Sequence, residues 1–74
     1  KMQFELGEIV NYQSLDKPGM NWLFIIVGIL ANRGPGGHYY KAFCFKAPEN
    51  HVSSRDLHQT IQMSEATLSK CTLK

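Results

Sequence analysis

Apolar residues in this chain do not recur at helical spacing; they fall in short dense runs separated by Pro- and Gly-rich breaks. The runs are LGEIVNYQSL (6–15), WLFIIVGILA (22–31) and YYKAFCF (39–45), and the breaks are DKPGMN (16–21), NRGPGGH (32–38) and KAPENH (46–51). β-branched and aromatic content over strand-length stretches predicts strands joined by tight turns. VSSRDLHQ (52–59) reads as one 3₁₀ turn, with Ser53 or Ser54 capping it, Asp56 near its start and Leu57 turned inward. Thr60–Met63 reads as a further strand. Beyond it, the residues from Ser64 onward fit a short helix or a strand equally well. No crossover helix, internal repeat or low-complexity segment interrupts the pattern. Strands without crossovers pair antiparallel and close into a small barrel or sandwich.

Alternation assigns faces, because successive strand side chains point to opposite sides. In the first run Leu6, Ile9 and Val10 are the apolar candidates, and the broken alternation at Glu8 to Val10 suggests a bend. The second run divides into Leu23, Ile25, Val27 and Ile29 on one face, and Trp22, Phe24, Ile26, Gly28 and Leu30 on the other. Gly28 interrupts the second set and suggests a bulge. The uninterrupted set is therefore expected to form the core. In the third run Lys41 lies between Tyr39 and Phe43, and a lysine amine does not enter a small core without a partner. Tyr40, Ala42 and Cys44 are accordingly expected inward. Trp22, Phe24, Ile26, Tyr39, Phe43 and Phe45 then share an outer apolar face, the candidate binding surface. Three covers for it are expected: the chain's own tail through Leu68, Cys71 and Leu73, a second copy, or a foreign protein.

The order LGEIV, NWLFIIVGI, a Gly-rich turn, YYKAFCF and HVSSRDL resembles the SH3-like small β-barrels, in particular the Tudor and KOW-type variants. The matching positions are Gly7 and Val10 around the first strand, Trp22 opening the second, and Val52 with Leu57 around the closing turn. The resemblance covers roughly residues 4–63 and implies an all-β, five-stranded antiparallel SH3-like barrel with one 3₁₀ turn. It also makes RNA binding admissible, as KOW-like barrels do. A Tudor-type cage for a methylated side chain would draw on Tyr12, Trp22, Tyr39 and Phe45.

Composition narrows the function classes. The chain has 74 residues, 43% hydrophobic, with eight Lys and Arg against six Asp and Glu. That is the size and apolar content of a single ordered domain. Lys1 before Met2 reads as a vector remnant, which puts the domain at residues 2–74. The net charge of +2 is far from the basic stripe of a dedicated nucleic-acid binder. Arg33, Tyr39, Lys41 and Lys46 are nonetheless the candidate contacts for RNA or a single strand, aromatics interleaved with cations. WLFIIVGILA is about half the length of a membrane span and has acidic residues upstream, unlike a signal peptide. A cytoplasmic location with reduced Cys44 and Cys71 is the simplest expectation. Cys44, His51, His58 and Cys71 lack the close pairs of a structural zinc site, having six, six and twelve residues between successive members. Cys44 between two phenylalanines lacks an activating base. Ser53, Ser54, Asp56 and His58 are better explained by a capped turn than by a hydrolytic triad. RGPGG lacks the Lys and Ser or Thr of a phosphate-binding loop. The expectation is a non-catalytic interaction module without cofactor or metal, binding a protein or itself, of a kind suited to a small phage or plasmid regulator; the alternative is a nucleic-acid-binding barrel.

Overall fold

The computed structural model describes residues 4–13, 20–48 and 57–71. Five strands form one antiparallel sheet: β1 (Ile9–Gln13), β2 (Asn21–Gly34), β3 (Gly37–Lys46), β4 (Thr60–Ser64) and β5 (Ser69–Lys70). A 3₁₀ turn over Glu65–Thr67 joins β4 to β5. The strand order is β4-β3-β2-β1-β5, so the C-terminal strand returns to pair with the first. The sheet is open rather than closed: β4 and β5 form its two edges. The capped turn expected over 52–59 lies mostly outside the described residues, and only Leu57–His58 is seen as a turn.

Glycine and proline make the β2–β3 hairpin. Pro35 and Gly36 occupy the turn between the paired Gly34 and Gly37, and Gly36 and Gly37 each have φ of 93°. Proline followed by a residue of positive φ suits a tight reversal. The tip docks on the 3₁₀ turn between β4 and β5: the Ala66 N–H donates to the Gly36 carbonyl at 3.0 Å. A Cβ at Gly36 would lie 3.1 Å from the Ser64 hydroxyl, and one at Gly37 3.0 Å from Glu65 Oε1.

One face of the sheet carries the core: Phe4, Val10, Trp22, Phe24, Ile26, Tyr40, Ala42, Cys44 and Leu68. Tyr40, Ala42 and Cys44 point inward as expected. The expected faces of β2 are reversed from Trp22 to Val27, with Trp22, Phe24 and Ile26 buried and Val27 50% exposed, whereas Ile29 packs against the core as expected. The reason is a β-bulge. Ile26 pairs with Ala42 and Gly28 with Lys41, leaving Val27 extra. An inserted residue shifts the side-chain period by one. Upstream of Val27 the inward set is Trp22, Phe24 and Ile26; downstream it passes to Ile29, which packs against the core. No single alternation describes such a strand. The larger side chains also bury more apolar surface, which favours this choice.

The tail covers the Trp22–Phe24–Ile26 face. Leu68 is buried in the core, and β5 pairs Lys70 with Val10 and Ser69 with Asn11. Cys71 is partly buried, and Leu73 lies outside the described residues. Phe4, which the run pattern leaves out, closes the other end: its ring meets Tyr40 edge-on at 5.5 Å. The Tyr40 hydroxyl accepts from the Phe4 N–H at 3.4 Å and donates to Glu65 Oε2 at 2.7 Å. A buried tyrosine is thus satisfied from both chain ends.

Candidate functional site

With Trp22, Phe24 and Ile26 inside, the outer face of the sheet is built from the positions between them. Cross-strand partners share a face, so register gives the layout directly. Ile9, Ile25, Phe43 and Thr60 form one row across β1 to β4. Asn11, Leu23 and Lys46 form the next on one side; Gly28, Lys41 and Gln62 form the next on the other. Register shifts on either side add Val27 in β2 and Phe45 in β3. Ile9 (38%), Val27 (50%) and Phe45 (37%) are exposed, while Leu23, Ile25 and Phe43 are partly buried. Leu6, 63% exposed in the turn before β1, adds apolar surface where β1 stops pairing with β2. At that point Gly7, with φ of 83°, donates its N–H to the Ile26 carbonyl at 2.8 Å.

The rings are engaged to different degrees. His58, with φ of 66°, donates its N–H to the Cys44 carbonyl and stacks on Phe43, with centroids 6.2 Å apart and planes at 18°. Tyr39 donates its hydroxyl to the Pro35 carbonyl at 2.9 Å, and its ring lies over Gly34. Phe45 is the most open of the three aromatics on this face. The stem of Lys41 fills the space left by Gly28, whose Cβ would lie 3.4 Å from the Lys41 Cβ.

Two cations border the apolar centre. Lys41 and Lys46 are exposed and in no ion pair among the described residues. Lys70 instead contacts Glu8 at 3.2 Å and lies 5.8 Å from the Phe4 ring centroid. The flanking neutral positions are Asn11, Thr60 and Gln62. Asn11 donates its amide to Asn21 Oδ1 at 3.1 Å.

The expected site is therefore divided. Tyr39, Phe43 and Phe45 lie on the outer face with Lys41 and Lys46, whereas Trp22, Phe24 and Ile26 belong to the core. Leu23, Ile25 and Val27, expected to be core, take their place. Arg33 stands near the hairpin tip, its backbone paired with His38. The four cage candidates do not converge: Tyr12 and Trp22 meet at 5.5 Å on the inner side, with Tyr39 and Phe45 on the other. No cluster of three or more His, Cys, Asp or Glu that could hold a metal occurs among the described residues. Cys44 is buried and Cys71 partly so, both as free thiols. His51, Ser53, Ser54 and Asp56 lie outside the described residues. No helix among them is long and apolar enough to cross a membrane; the apolar run at 22–31 lies within the paired strand β2.

No family model matches this chain, and neither a curated protein nor a solved structure matches it.

Proposed function

We propose that this chain is a non-catalytic interaction module of the SH3-like barrel type, which binds a protein through the outer face of β1, β2 and β3. The observation that carries the reading is the apolar row Ile9–Ile25–Phe43, widened by Leu23, Val27 and Phe45, with Leu6 exposed nearby. A contiguous apolar face whose members are exposed or only partly buried suits a docking site on a small domain better than plain solvent exposure. The fold assignment draws on the return of β5 to β1 after a 3₁₀ turn, the order in which an SH3-like sheet is wound. Nucleic-acid binding is disfavoured by the rings. Base stacking needs free aromatic faces, and of the three outward aromatics Phe43 is stacked on His58 and Tyr39 lies over Gly34. Phe45 alone of the three is left open, and the other apolar members of the face, Ile9, Leu23, Ile25 and Val27, are aliphatic.

The test compares immobilised wild type with the double variant Val27→Gln/Phe45→Gln in retaining proteins from a lysate of the source cells. Both positions are exposed, so the variant should keep its fold, checked by the circular dichroism melting curve. A protein held by wild type and lost by the variant is expected. Identical retention by the two would refute the reading.

A further inference from the structure

We propose that the partner segment is acidic: apolar side chains for the aliphatic centre, flanked by carboxylates that meet Lys41 and Lys46. This rests on the interaction reading above and adds the sign of the partner's charge. An exposed lysine alone says little, since most are simply solvated. The significance lies in the arrangement. Lys41 and Lys46 stand on the same strand at opposite sides of Phe43 and face outward with the apolar rows. Among the described residues neither forms an ion pair, and no carboxylate there occupies an outward position of β1 to β4. The remaining border positions, Asn11, Thr60 and Gln62, are neutral.

That one-signed border discriminates among occupants. A second copy of the chain, packed face to face about a two-fold axis, would double the lysines in one interface and bring no carboxylate from the described outward positions. Like charges brought together in this way disfavour self-association and suppress wrong partners. A nucleic acid would satisfy the lysines but leave Ile9, Leu23, Ile25 and Val27 without suitable contacts. A protein segment carrying Leu, Val or Phe with Asp or Glu beside them satisfies both features. The lysines then contribute mainly to association rate and specificity, and the aliphatic centre to retention.

The experiment uses a panel of fluorescein-labelled peptides in which Leu, Val and Phe recur at strand or helix spacing. Each is made twice, with Glu or with Lys at the remaining positions. Fluorescence anisotropy is read against wild type, Lys41→Glu/Lys46→Glu and Val27→Gln/Phe45→Gln, at low and high salt. The expected result is that at least one Glu peptide binds wild type about tenfold more tightly than its Lys twin at low salt. The preference should shrink at high salt and reverse in the Lys-to-Glu variant. Val27→Gln/Phe45→Gln should weaken the Glu peptide several-fold. The proposal is overturned if no Glu peptide outbinds its Lys twin, or if the preference survives the charge reversal. It is overturned equally if the face captures only oligouridine RNA or phosphatidylglycerol vesicles, or if sedimentation shows a dimer that Val27→Gln/Phe45→Gln dissociates. Loss of a lysate partner on Val27→Gln/Phe45→Gln, without any preference for Glu peptides, would leave the interaction reading standing and reject its acidic partner.

Discussion

Ile25 and Ile26 are identical in chemistry and adjacent in sequence, yet the fold treats them differently. Ile26 is 1% exposed within the core; Ile25, partly buried, lies on the outer face between Ile9 and Phe43. Truncating each to alanine therefore isolates the effect of face. Ile26→Ala removes buried atoms and leaves a cavity against Phe24, Ala42 and their neighbours, at a cost of about 3 kcal/mol. Ile25→Ala loses cross-strand contacts and some strand propensity, together about 1 kcal/mol. A chain of this length should have a total stability of roughly 4–11 kcal/mol, so the difference is a large share of the whole. With a urea dependence of about 1 kcal/mol per molar, the midpoints should fall by about 3 M and about 1 M. Melting temperature should drop by roughly 12–24 °C and 4–8 °C respectively. Trp22, 4% exposed, supplies the fluorescence signal for both transitions. Equal costs, or a larger cost for Ile25→Ala, would refute the assignment of faces and with it the site built on the outer one.

Three further substitutions probe the Tyr40 link and the hairpin turn. Tyr40→Phe removes the hydroxyl that joins the Phe4 N–H to Glu65; the expected loss is about 1.5–3 kcal/mol in urea denaturation, and a change under about 0.5 kcal/mol would count against that link. Gly36→Ala forces a side chain into φ of 93° with Ser64 Oγ 3.1 Å away, and should destabilise by about 1–2 kcal/mol. Gly28→Ala is its control, because the flexible Lys41 stem 3.4 Å away can move; similar losses at the two glycines would show that strain at the turn is not the cause.

The strand runs and the glycine hairpin could be read from the sequence because both are local: β-branched density marks the first, and Pro35–Gly36–Gly37 the second. The inward face of β3 was legible because Lys41 vetoes one of only two choices. β2 offered no such veto, since both its faces are apolar. Gly28 hinted at the bulge, but which residue is inserted depends on pairing with Ala42 and Lys41, which is not local information. The same holds for Phe4 and Leu68. Each is a lone apolar residue outside the dense runs, and its burial follows from where the sheet brings the two chain ends together. For the site, alternation around Lys41 is enough to place the aromatic members of β3, whereas in β2 unbroken parity points the aliphatic members into the core.

Val27 gives β2 a property akin to a reading frame. Its two ends are pleated in opposite phase, and the one extra residue is what lets Ile26 and Ile29 both face the core. Loss of Val27 would merge the frames, forcing either the Trp22 end to turn outward or Ile29 to leave the interior. Substitutions at this position are tolerable because the side chain is exposed, whereas changes of length are not. Among relatives of this chain the spacing between Phe24 and Ile29 should therefore be held more strictly than the identity of the residue at 27, and a one-residue insertion or deletion there should cost far more than any substitution of Val27.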